Sequence, residues 1–212
     1  MAAPAHPCYA ATMHAGPPDP AATLPQPVQD RLRAYADLLA TWTRRINLVS
    51  RNDIPHIWPR HVLDSLRLIP FIPACTDRAI DLGSGAGLPG LVLAIATGIP
   101  FDLVESDRRK CAFLQEAARI TQAPVTIHTA RIEACALAPA RLVTARALAP
   151  LPALLALAFP FLAPGGAMLL PKGAGADQEM QDAARLHRFH ATKAGAPGHP
   201  ILVLSRTEPC HV

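Results

Sequence analysis

Residues Arg78 to Gly90, R-A-I-D-L-G-S-G-A-G-L-P-G, gather the types best suited to hold a small charged ligand. A short apolar run, Ala79-Ile80, leads into the carboxylate of Asp81, and Gly83, Gly85 and Gly87 follow at alternate positions. Leu88-Pro89 comes next, then a long apolar run from Leu91 to Ala96. This order predicts strand, glycine-rich turn, helix, with Pro89 where a first helical turn tolerates a missing N–H. Glycine takes positive φ readily and lets backbone approach a ligand, so the turn aims helix-start N–H groups at its occupant.

Two cofactor patterns fit the turn. Gly85 to Gly90 matches G-x-G-x-x-G, and Glu105 follows at the distance of a ribose-binding acid, which is the dinucleotide fingerprint. Asp81 to Gly87 matches the D-x-G-x-G-x-G turn of S-adenosylmethionine (SAM) methyltransferases. A carboxylate just before the turn would repel a pyrophosphate but can orient the ammonium and sulfonium end of SAM. The turn therefore favours SAM. A nicotinamide-dependent oxidoreductase is the alternative, although no Tyr-x-x-x-Lys or His-Asp set accompanies it.

The rest of the chain must position this turn. At 212 residues it is long enough for one α/β domain with an N-terminal appendage. Residues 1–26, rich in Pro and Ala, read as a disordered tail. Residues 27–70 read as a helical cap and 71–212 as the core. In the cap, Val28, Leu32, Tyr35, Leu39, Trp42 and Ile46 recur at helical spacing, and Asp53 with Pro55 opens a second helix through about Leu68. Strands are expected near Ala79–Leu82, Phe101–Glu105, Val125–His128, Leu142–Ala145 and Ala167–Leu170. Helices are expected near Leu88–Thr97, Asp107–Thr121, Leu151–Phe159 and Ala176–Leu186. This alternation predicts a mostly parallel, doubly wound sheet, closed by an antiparallel hairpin of Phe189–Ala191 and Ile201–Leu204. Ligands in such sheets bind outside the strand carboxyl ends, so Asp81, Glu105, the loop after His128 and Arg146 should converge on one cleft.

Composition narrows the classes. The longest apolar stretch, Leu151 to Leu162, is broken by Pro152 and Pro160 and too short to cross a bilayer, and Met1 to Pro20 shows no secretory signal. Five scattered cysteines without C-x-x-C spacing read as reduced cytosolic thiols, so neither disulfide nor metal site is expected. Net charge is +4 and the cations are mostly arginine, which suits bidentate contact with a phosphate polyanion.

Several stretches, in order from about Leu38 to Gly173, resemble the bacterial 16S ribosomal RNA guanine-N(7)-methyltransferase family RsmG, also called GidB. They are W-T-R-R-I-N-L-V-S (Trp42–Ser50), R-H-V-L-D-S (Arg60–Ser65), D-L-G-S-G-A-G-L-P-G (Asp81–Gly90) and L-V-E-S-D-R-R-K-C-A-F-L (Leu103–Leu114). Arg131-Ile132-Glu133, A-R-A-L-A-P-L (Ala145–Leu151) and Pro171-Lys172-Gly173 complete the set, while the first 26 residues stand outside it. The resemblance implies a class I SAM-dependent methyltransferase (Rossmann-like) fold. It implies SAM as cofactor, with Gly83 and Leu88 bordering it, Glu105 at the ribose hydroxyls, Ile132 and Glu133 on the adenine side, and Arg146 reaching the pocket. It also implies 16S rRNA of the small ribosomal subunit as substrate, in the cytoplasm.

Guanine N7 carries a lone pair and no proton, so its methylation needs alignment and charge control and no general base is expected. No D/N-P-P-Y/F/W stretch, the pattern of amino-group methylation, is present. Candidate RNA contacts are Arg44, Arg45, Arg51, Arg60 and His61 on the cap, with Arg131, Arg146 and Lys172 at the cleft rim. Between Arg44 and His61 only Asp53 is acidic. His61 could equally be a buried histidine that orders loops. Nothing requires more than a monomer. The remaining alternatives are a SAM enzyme acting on another RNA base or a small molecule, and a non-enzymatic ribosome-binding module.

Overall fold

The computed structural model describes residues 20–196 and 198–207. Of the expected N-terminal tail, residues 1–19 lie outside them. Pro20–Pro25 form a turn that seats Ala21 in the core and leads into α1 (Gln26–Thr43), so ordered chain begins before residue 27.

Among the described residues the sheet has seven strands in the order β3-β2-β1-β4-β5-β7-β6. These are β1 (Ala79–Leu82), β2 (Phe101–Glu105), β3 (Val125–Thr129), β4 (Ala140–Ala145), β5 (Leu162–Pro171), β6 (Phe189–Ala196) and β7 (His199–Arg206). β1 to β5 pair in parallel, and β7 runs antiparallel to both β5 and β6. Alternation along each strand fills both faces. Ala79, Leu103 and Leu142 point to a layer of α1, α2 (Leu63–Leu66), α3 (Gly90–Thr97) and α4 (Arg108–Thr121). Ile80, Val104 and Val143 point to α5 (Leu151–Ala158) and α6 (Ala176–Ala184).

The cap is part of this body. Leu32, Tyr35 and Leu39 of α1 are fully buried, and the Tyr35 and Trp42 rings meet Phe113 of α4 with centroids 6.3 and 5.7 Å away. The expected second helix is instead a chain of short pieces. A 3-10 turn (Arg51–His56) and a π-helical stretch (Trp58–Val62) precede α2, and a further 3-10 turn (Ile69–Phe71) follows. Pro55 and Pro59 lack the N–H that regular helix pairing needs, which accounts for the irregularity.

The strands from β4 to β7 outrun their sequence signals, β5 and the hairpin most of all. β5 begins at Leu162 and carries Pro164-Gly165-Gly166, residues that read as a turn. Gly166 is required there because a Cβ would stand 2.8 Å from the Arg141 carbonyl oxygen, beside a shift in the β4–β5 register. In the hairpin, Ala194–Ala196 continue β6 opposite His199–Ile201, with Gly195 at φ +92°.

Candidate functional site

Strand alternation decides where Asp81 goes. It faces the α3 layer beside Thr144, its register partner on β4, whose Oγ1 donates to Asp81 Oδ1 at 2.6 Å. Gly90 opens α3 directly above, where a Cβ would lie 2.5 Å from Asp81 Cβ and 2.8 Å from Oδ2. Asp81 is fully buried, and among the described residues its Oδ2 has no hydrogen-bond partner. Burial pushes its pKa up to about 6, with the Thr144 hydroxyl pulling the other way. The carboxylate expected at the sulfonium end therefore lies beneath the turn and off the cleft wall.

Gly83, Gly85 and Gly87 all have positive φ, at 66°, 56° and 83°. Their tasks differ. Gly83 and Gly85 present backbone to the cleft, joined on that wall by Leu88. Gly87 turns inward, where a Cβ would meet Leu91 Cβ at 2.7 Å. Tyr35 holds the turn from behind by donating to the Ala86 carbonyl oxygen at 2.7 Å. Tyr35→Phe strands that buried carbonyl, and about 1 to 3 kcal/mol of stability is expected to go with it. Thermal unfolding checks this, and a midpoint within one degree of wild type would show that the bond is not needed.

Glu105 ends β2 and is only 8% exposed as a residue. Gly85 N–H donates to Oε2 at 2.9 Å, and Asp107 N–H donates to Oε1 at 2.8 Å. Each oxygen thus has one backbone partner and keeps a second lone pair for a hydroxyl. Opposite, the 3-10 turn Ile132–Ala134 after β3 contributes Ile132 and Glu133. After β4 the chain supplies Arg146, Ala147 at φ +51°, and Leu148. The cleft they enclose has a volume of about 460 Å³, within the usual range for a small-molecule site. The donor set fits SAM. Paired lone pairs on Glu105 suit ribose hydroxyls, apolar Ile132 suits an adenine face, and the glycine backbone leaves room for the methionine portion.

Other residues share that wall without having been foreseen. Lys110 follows Glu105 closely in S-D-R-R-K and lies in the first turn of α4, a position that the strand-then-helix reading could have flagged. Leu48 arrives from the segment after α1, a long-range placement with no local signal.

The expected RNA contacts separate into two groups. Arg44, Arg45, Arg51 and Arg131 are exposed and carry no ion pair among the described residues, and exposed Arg60 pairs with Asp53. His61 and Lys172 are instead built into the protein. Arg146 Nη2 donates to His61 Nδ1 at 3.2 Å, and Asp53 Oδ2 lies 3.5 Å from His61 Nε2. Burial first, then the Arg146 charge, lowers the His61 pKa, which suits its role as acceptor. Lys172 Nζ meets Glu179 Oε2 at 2.7 Å with its side chain only 12% exposed.

The strand order, with one antiparallel strand inserted beside β5, together with a glycine turn facing an acid at the end of β2, defines a class I SAM-dependent methyltransferase. The glycopeptide N-methyltransferase MtfA, solved with SAM, superposes with a TM-score of 0.59 at 12% identity, covering 69% of this chain and 94% of that one. A ribosomal protein L11 methylase from Lactobacillus delbrueckii subsp. bulgaricus gives 0.59 at 16% identity, covering 70% and 79%. Both show the fold.

Sequence takes the assignment further. A family model described as GidB, rRNA small subunit methyltransferase G, matches residues 28–197, and the chain belongs to that family. A relative from Granulibacter bethesdensis named ribosomal RNA small subunit methyltransferase G is 52% identical over 179 residues, 84% of each chain. The match runs beyond Gly173 into the hairpin and past Trp42 to the start of α1. The nicotinamide alternative falls with this assignment.

Proposed function

We propose that the chain methylates N7 of a guanine in the 16S rRNA of the small ribosomal subunit, using SAM. The observation that supports this most is family membership spanning the cap and every wall of the cleft. SAM supplies an electrophilic methyl group on a sulfonium. The protein's own part is binding and alignment. Glu105 and the Gly83–Gly85 backbone fix the cofactor, Ile132 and Glu133 flank its base, and Arg146 sets charge at the cleft's far end. Since N7 has no proton to lose, no side chain acts as general base. No metal enters this scheme. The chain works as a monomer in the cytoplasm, where small ribosomal subunits are found.

RNA approaches over the exposed arginines. Arg44 and Arg45 directly follow α1, close to the segment that brings Leu48 onto the cleft wall. Replacing both with alanine is expected to lower the slope of log affinity against log salt by ~0.7 to 0.9 for each lost phosphate contact. A slope equal to wild type would take these residues out of the interface.

Incubating the purified chain and SAM with small subunits and, separately, with free nucleotides tests the acceptor. 7-Methylguanosine formed in 16S rRNA but not in free nucleotides is expected. Methylation of another base or of a small molecule would replace the proposal.

A further inference from the structure

A second cavity, of about 690 Å³, adjoins the cofactor cleft, and Arg146 to Ala149 line both. Its far side carries Lys172 and Glu179. Resting on the function proposed above, we infer that this cavity receives the target guanine and that the Lys172–Glu179 pair reads its Watson–Crick edge.

The pair is fixed from several sides. Lys172 follows the end of β5, and its N–H donates to the Pro200 carbonyl oxygen of β7 at 2.9 Å. Glu179 projects from α6, where Oε2 accepts both from Lys172 Nζ at 2.7 Å and from Leu151 N–H of α5 at 2.9 Å. Among the described residues both hydrogen bonds of the carboxylate fall on Oε2, which leaves the lone pairs of Oε1 open. Lys172 has two further N–H donors. A donor therefore stands beside an acceptor, both borne on packed secondary structure.

Guanine presents the complementary order. Its O6 accepts, and its N1–H and N2–H₂ donate. Lys172 can donate to O6 while Glu179 Oε1 accepts from the N1 and N2 side. Adenine presents the reverse, a donor at N6 and an acceptor at N1, so it would set amino group against ammonium and lone pair against carboxylate. The other carboxylate in the cavity, Asp64, is already committed. Its Oδ1 takes Arg67 Nη1 at 3.0 Å, and its Oδ2 faces Arg146 Nη1 at 3.7 Å.

Arg146 stands at the junction of the two spaces, held by His61 on one nitrogen and Asp64 on the other. That arrangement gives the wall between cofactor and base a fixed cation. A base enters such a cavity only when swung out of its stack, which makes an unpaired or extruded guanine the class of ligand. Lys172, expected as an RNA contact at the cleft rim, becomes a base contact.

Nucleotide binding to the full-length chain saturated with S-adenosylhomocysteine, followed by ligand-observed NMR, tests this with GMP, IMP and AMP as probes. GMP is expected to bind about ten-fold more tightly than AMP, the discrimination a good base-edge contact gives. IMP, which lacks the 2-amino group, should fall between them. Glu179→Gln is expected to reduce the GMP preference to less than about three-fold while leaving affinity for S-adenosylhomocysteine unchanged. Because Glu179 also supports α5, Lys172→Met serves as a second variant that keeps the Leu151 bond and should lose the same preference.

Equal binding of GMP and AMP to wild type, or a GMP preference that survives in a folded variant, overturns the assignment even if 7-methylguanosine is formed on small subunits. A preference lost in the variants, with no 7-methylguanosine formed by wild type, upholds the base site and overturns the proposed reaction instead.

Discussion

Glu105→Ala is expected to weaken SAM binding by about 100-fold, with methyl transfer lost at ordinary cofactor concentrations. Hydrogen bonds to a charged acceptor contribute roughly 1.5 to 3 kcal/mol each, and two ribose hydroxyls would lose theirs together. The same carboxylate anchors Gly85 N–H and Asp107 N–H, so its removal also frees the turn that carries the opposite wall. Glu105→Gln keeps the shape and one acceptor oxygen but faces a backbone N–H or a ribose hydroxyl with an amide NH₂. It should lose about ten-fold. Calorimetric titration with SAM reads both variants. An unchanged dissociation constant in Glu105→Ala would show that the acid at the end of β2 does not touch the cofactor.

Asp81 gives the second large effect, and it concerns stability. Its folded pKa, raised to about 6, lies well above the unfolded carboxylate range. Between those two values the folded state binds a proton that the unfolded state has released, so stability falls as pH rises. The contribution is fully present below the unfolded pKa and is lost as pH passes about 6. Over a window of about two pH units it amounts to roughly 3 kcal/mol. Asp81→Asn removes the titration, so the variant is expected to gain on wild type by about that amount between pH 4 and 7. Urea unfolding of both proteins across this range measures the difference directly, since other titrating groups are common to the pair. A difference independent of pH, or one that runs the other way, would show that Asp81 is not held in a desolvated slot.

This buried acid also shows where sequence is informative and where it stops. The turn and the ends of β1 and β2 were legible at residue level, because a short apolar strand, an acid and alternating glycines permit few local structures. Which way Asp81 points was not. Its direction depends on Thr144, 63 positions away on another strand, and on Gly90, whose missing Cβ serves packing rather than conformation. Gly87 belongs with it, since its contacts are Leu91 and Leu114 instead of the ligand space.

The cap repeats the lesson in another form. Periodicity located α1 well, since three of its expected core residues are fully buried. The following segment carries two prolines, and apolar spacing alone could not say that its helix would break into 3-10 and π turns. The base cavity was illegible for a different reason. Arg146 and His61 meet across 85 positions, and Lys172 reaches its partner only because β5 and α6 fold back together. Charge composition suggested a polyanionic partner only in a general way. It could not separate exposed Arg44 and Arg45 from Lys172, whose charge is already paired inside the protein.

The measurement that bears most directly on the whole account is mass spectrometry of nucleosides from small-subunit RNA, taken from cells with the gene, without it, and with a copy encoding Glu105→Ala. One 7-methylguanosine is expected in the first and none in the other two. An unchanged 7-methylguanosine content in all three would contradict it.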